Sequence, residues 1–91
     1  MTRQEKNYRL FSYFNKRRLD NGRTIISIMT LEKKCEVPKY TIQHLVNLRR
    51  LITEEKIDIV LEVLSEQYGL DLNRKLSKEE EFEMSLHELF N

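Results

Sequence analysis

The chain has 91 residues, 34% of them charged, with two glycines, one proline and a single cysteine. That is the size of one domain around one core, so a second domain is excluded; a lone cysteine excludes an internal disulfide and fits a reducing compartment. The net charge of +1 balances unequal parts: residues 1–50 hold twelve Lys/Arg against four Asp/Glu, a net of +8, and residues 51–91 hold four against eleven, a net of −7.

Two readings fit this asymmetry, a basic surface that meets a polyanion or a bundle whose halves pair their charges. The longest apolar run, Ile59-Val60-Leu61, is far short of the roughly 20 residues of a membrane-spanning helix. The polar start, Met1 to Lys6, lacks the apolar segment of a secretory signal, so the expected setting is cytoplasmic.

In chain order, the first segment runs from about Gln4 to Leu19. It places Tyr8, Leu10, Phe11 and Phe14 on one broad side and Lys16, Arg17 and Arg18 near its end. This predicts an amphipathic helix with cations at its negative pole, broken by Asp20-Asn21-Gly22. Asn-Gly is also a hairpin signal, and Thr24-Ile25-Ile26-Ser27-Ile28 is rich in β-branched residues, so a short strand competes there with a loop. No alternating apolar run precedes the turn to pair with such a strand, which favours the loop.

From Ser27, a cap for the next helix, Ile28, Leu31 and Cys35 recur at spacings of three and four until a stop near Glu36. Pro38 suits the first turn of a helix, which predicts a third helix from Pro38 to Leu48 carrying Ile42, Leu45 and Val46 inward. Thr53 is a plausible cap for a fourth, with Ile57, Val60, Leu61, Leu64 and Tyr68 on one stripe and Gly69 as its stop. After a connector from Leu70 to Leu76, Ser77-Lys78-Glu79-Glu80 reads as a capping box that opens a last helix. The predicted fold is all-α, a compact bundle of about five helices, divided into a main unit over 1–76 and an acidic amphipathic helix over 77–91.

The segment Ser27 to Leu48, SIMTLEKKCEVPKYTIQHLVNL, resembles the helix-turn-helix of the Cro and phage-repressor (Xre) family, a lambda-repressor-like DNA-binding domain. Leu31, Cys35, Val37, Ile42 and Leu45 match the five apolar positions by which that motif locks two helices over a common core. Asn47-Leu48-Arg49-Arg50 stands where such proteins often carry an Asn-Gly-Lys-Arg-like turn, and the helix from Thr53 to Tyr68 matches their fourth. The match covers residues 27–70 well, the first helix loosely and the last twenty residues hardly at all. Two positions depart from it. Glu32 replaces a small residue, and its carboxylate is expected to reach solvent along its methylene stem. Glu36 replaces the turn glycine, where a left-handed backbone costs roughly 1 kcal/mol or more.

The resemblance implies that helix 38–48 enters the major groove of double-stranded DNA and offers Lys39, Tyr40, Gln43 and His44 to base edges. Lys39 suits guanine O6 and N7, and Gln43 suits adenine N6 and N7. Tyr40 suits a thymine methyl or a phosphate, and His44 can donate to or accept from one base. Ser27, Asn47, Arg49 and Arg50 are the candidate phosphate contacts, with Lys33, Lys34 and Arg23 adding long-range attraction. The plain alternative for any one of these residues is a solvated, solubilising surface.

Catalysis has little support, because His44 and His87 fall on different helices and Cys35 fills an apolar slot. No paired-cysteine, glycine-rich phosphate-loop or zinc-type pattern is present, so neither metal nor cofactor is expected. Phe82, Met84, Leu86, Leu89 and Phe90 load the last helix with apolar groups. Phe82, Leu86, Leu89 and Phe90 form a candidate homodimer or partner surface, unless they dock on the chain's own core. The leading expectation is a small repressor-like transcriptional regulator of phage or mobile-element type. A protein-interaction module on the same fold (antitoxin-like, or an inhibitor of a host factor) and a replication or recombination accessory factor are the alternatives.

Overall fold

The computed structural model describes the backbone of residues 1–21 and 26–86, and the side chains of residues 1–15 and 26–86. Among the described residues five helices follow one another: α1 (Arg3–Asn21), α2 (Ile28–Lys34), α3 (Thr41–Leu48), α4 (Glu54–Tyr68) and α5 (Lys78–Leu86). Among the described residues there is no strand, as the all-α reading expects. The possible strand over 24–28 lies partly outside them, and its described part is a bend at Ile26 leading into α2. Gly22, Arg23, Thr24, Ile25 and the side chains of Lys16, Arg17 and Arg18 lie outside the described residues. So do His87, Leu89 and Phe90.

α1 extends to Asn21, beyond the expected stop near Leu19. It is also buried on more than the one side that its apolar spacing marks. Every residue from Asn7 to Phe14 is buried, including the polar Asn7, Arg9 and Ser12. The cause is the second layer of chain laid over it: α3 and α4 pack on one side, while Leu70, Leu76 and Glu80 face Arg9, Ser12 and Tyr13 on another. Phe14, Leu31, Ile42, Leu45, Ile57 and Leu64 are sealed from solvent and join α1 to α2, α3 and α4 in one core. Each such side chain adds roughly 1.5–3 kcal/mol over an exposed position.

Asn7 ties α1 to the strip of chain between α3 and α4. Its Oδ1 accepts from the Ile52 amide at 2.8 Å, and its Nδ2 donates to the carbonyls of Arg3 at 2.9 Å and Ile52 at 3.2 Å. The Arg3 Nε donates to the same Ile52 carbonyl at 3.0 Å. The non-helical segment before α4 thus has its buried polar groups satisfied from the other end of the domain.

The carboxyl-terminal helix is held by two carboxylates. The Ser77–Glu80 capping box forms as its sequence predicts, the Ser77 amide donating to Glu80 Oε1 at 3.0 Å and the Glu80 amide to Ser77 Oγ at 3.1 Å. Glu80 is buried and also receives both Arg74 terminal nitrogens, at 2.8 and 3.0 Å. One turn on, Tyr8 Oη donates to Glu83 Oε2 at 2.8 Å, fastening α5 to α1. Gly69 closes α4 in the left-handed conformation its sequence position suggests, with φ +73°.

Burial, and then the bond to Glu83, push the Tyr8 phenol well above its ordinary value of 10.0. A raised acid favours the neutral form in the fold, so this contribution is complete below pH 10 and is lost as the pH climbs toward the folded value. An alkaline absorbance titration should show less phenolate in the native protein near pH 10 than in denaturant, with part of that deficit removed by Tyr8→Phe. An unchanged deficit in Tyr8→Phe would contradict this assignment.

Candidate nucleic-acid interface

α2 and α3 pack against each other across a tight corner, and the ends of both are set by identifiable groups. Ser27 caps α2 as expected, its Oγ accepting from the Thr30 amide at 3.1 Å. At the far end the amides of Glu36 and Val37 turn back to the carbonyls of Lys33 and Glu32, both at 3.2 Å. This is the Schellman pattern, with Glu36 at φ +55° in the place that usually takes glycine. Cys35 is buried at the corner, and burial pushes its thiol up, in keeping with a packing role.

The third helix starts later than Pro38. Pro38–Thr41 is a turn, the Thr41 amide donating to the Pro38 carbonyl at 3.1 Å, with Tyr40 at φ +72°, ψ 2° as in a type II turn. α3 is helical only from Thr41, with the Tyr40 carbonyl accepting its first bond from the His44 amide, so Lys39 and Tyr40 stand ahead of α3 rather than within it. Tyr40 gives α3 no side-chain cap. That service comes from Glu32, whose Oε2 accepts from the amides of Ile42 at 2.8 Å and Gln43 at 3.2 Å. The expectation that Glu32 reaches solvent is therefore wrong: the residue is 3% exposed, because the unpaired amides at the start of α3 offer its carboxylate a better partner than water. Thr53 likewise occupies the cap position of α4 without making a side-chain cap bond.

Three of the four proposed base-reading residues come together. The rings of Tyr40 and His44 stack at 5.7 Å between centroids with planes 21° apart, and Lys39 Nζ lies 5.0 Å from the Tyr40 ring centre. Tyr40 is 47% exposed. Gln43 lies on the same stretch of α3, partly exposed, and Asn47 is exposed one turn farther along. Beside this row is an open cleft of about 170 Å³ lined by Thr41, His44, Arg50, Leu51, Ile52, Thr53 and Lys56. Arg50 and His44 therefore share one surface, and Lys56, which the sequence reading did not single out, joins them. Its only sequence signal is a cation in the first turn of a helix that otherwise begins with Glu54 and Glu55.

The two arginines after α3 differ in setting. Arg49 has φ +57° and carries its guanidinium 6.0 Å from the ring centre of the core residue Phe11, whereas Arg50 lines the cleft. Among the described residues no ion pair engages Lys33, Lys39, Arg49 or Arg50, although Lys6, Arg9 and Arg74 are all paired. Lys34 instead donates to Tyr68 Oη at 3.2 Å. Ser27 is exposed, but its Oγ is already engaged with Thr30.

On α5, Phe82 and Leu86 are 63% and 59% exposed, while Met84 packs partly against the core. The apolar stripe of this helix is thus divided, with Phe82 and Leu86 left facing out. Among the described residues there is no cluster of metal-ligating side chains, and no helix is long and apolar enough to cross a membrane. No protein-family model, no curated protein and no solved structure matches the chain.

Proposed function

We propose that the chain is a sequence-specific double-stranded DNA-binding protein, a small repressor-like transcriptional regulator acting in the cytoplasm without a cofactor. The observation that carries this reading is the row Lys39, Tyr40, Gln43, His44 at the start of α3, exposed or partly so, beside a cleft that adds Arg50 and Lys56. Such a row gives donors and flat rings for base edges, and the flanking cations give phosphate contacts, which is the division of labour a groove-reading helix needs. The cations left unpaired on this side favour a polyanion over the alternative in which the two halves of the chain neutralise each other.

The test is selection from a random double-stranded DNA pool across a salt series, followed by sequencing of the retained fraction. An enriched motif that survives near-physiological salt supports the reading, and a palindromic one adds a dimer binding half-sites about 34 Å apart. Weak, sequence-blind binding that disappears with salt would defeat it.

Phe82 and Leu86 favour a second reading, partner capture or homodimerisation through α5. Truncation before Ser77 cannot test it cleanly, since it also removes Glu80 and Glu83, which hold Arg74 and Tyr8. The paired change Phe82→Ser and Leu86→Ser leaves those anchors in place and isolates the exposed stripe.

A further inference from the structure

The side-chain contact that joins α2 to the start of α3 is made by a residue whose position in the resembled motif favours a small side chain. Glu32 is buried, and one carboxylate oxygen receives two backbone amides of the facing helix. The chain's other options at that end of α3 are poor: Tyr40 makes no side-chain cap, and the Thr41 hydroxyl donates back to the Pro38 carbonyl at 2.7 Å. Without Glu32, the Ile42 amide would lose its partner in a sealed part of the corner, since Ile42 and Leu31, next to Glu32 on α2, are both sealed, while the Gln43 amide is part-buried.

We propose that Glu32 is the positioning residue of the reading helix: by gripping the first-turn amides of α3 from α2, it sets the angle and rotation at which Gln43 and His44 are presented. This rests on the reading of α3 as the DNA-reading helix. Two consequences follow from the geometry. Both bonds go to backbone, so the side chains of α3 can change without breaking the grip. The negative charge also occupies the positive end of α3, so that end is closed to a phosphate, and phosphate binding falls to side chains such as Arg50 and Lys56. Glu32 therefore governs discrimination between DNA sequences and not general attraction to DNA.

The experiment compares wild type, Glu32→Gln and Glu32→Ala as full chains, with two readouts. The first, made without DNA, is amide hydrogen exchange at Ile42 and Gln43. Glu32→Ala should speed it by about tenfold or more relative to Leu45 and Val46, while Glu32→Gln, whose amide oxygen still accepts, stays near wild type. The second is the ratio of affinities for a selected site and for random duplex. Glu32→Ala should lower that ratio by about tenfold with random-duplex affinity held or slightly raised, and Glu32→Gln should restore it. A merely structural role would lower both affinities together and leave the ratio unchanged, which overturns the proposal; so does a Glu32→Gln that loses the ratio as completely as Glu32→Ala.

If Glu32→Ala does not fold, Glu32→Asp takes its place, keeping the charge but drawing it back by one methylene; retained amide protection and retained ratio in a folded Glu32→Asp overturn the grip. If wild type selects no sequence, the DNA reading fails, and the exchange readout still decides whether Glu32 positions α3.

Discussion

Asn7→Ala is expected to lower the stability of the domain by about 2–3 kcal/mol, a large effect for a change that removes no apolar surface. The Ile52 amide is buried and has Asn7 Oδ1 as its acceptor at 2.8 Å, so the substitution leaves a buried donor unpaired. An orphaned group of this kind costs roughly 1–3 kcal/mol, and the two bonds donated by Nδ2 are lost besides. The Ile52 carbonyl is protected in part, since Arg3 Nε still reaches it. Against a total of about 5–14 kcal/mol for a chain of this length, the loss should lower the midpoint of thermal unfolding by about 10–20 °C. A fall of under about 3 °C in a circular-dichroism melt would mean that water replaces the side chain, and that Ile52 is less enclosed than its 3% exposure implies. The change also reaches the proposed DNA surface, because Ile52 and Arg50 line the same cleft.

On the DNA side, Gln43→Ala should weaken binding to a selected site by about 1–3 kcal/mol, roughly 5- to 150-fold, and barely alter binding to random duplex. Arg50→Ala should weaken both alike and reduce the slope of log affinity against log salt by about one. Arg49→Ala should do less to DNA than Arg50→Ala, since the Arg49 guanidinium lies over Phe11 rather than in the cleft. Filter binding or fluorescence anisotropy at three salt concentrations separates these outcomes. If Gln43→Ala and Arg50→Ala bind a selected site as wild type does, the exposed side of α3 is not the reading surface.

Much of the fold is legible in the residues. Period three-and-four spacing marks all five helices, and local chemistry marks several ends: Ser27, Gly69 and the Ser77–Glu80 box are read from neighbours within four residues. What sequence reasoning misses is long-range. Asn7 shares the helical face of Phe11 and Phe14, so its burial is legible in the spacing, but its partner lies 45 residues away and is not. Glu32 looks like a surface acid for the same reason, its partners being 10 and 11 residues on, across a corner. The proline rule places the start of α3 at Pro38, but a left-handed Tyr40 defers it to Thr41. Of the candidate site, the resemblance to the repressor motif brings out Lys39, Tyr40, Gln43, His44 and Arg50, whereas Lys56 is hidden by the two acids before it.

The three left-handed residues Glu36, Tyr40 and Arg49 bear on how this chain tolerates mutation. Each holds a backbone that glycine adopts freely, at a cost of about 1 kcal/mol. At Tyr40 and Arg49 the side chains contribute contacts of their own, a ring stack and a cation over Phe11. Glu36 is exposed and has no such contact among the described residues. A drift to glycine at that one position would leave the proposed reading surface intact and raise the stability margin. A lineage carrying it could accumulate destabilising changes along α3, and so explore new target sequences, before the domain ceased to fold.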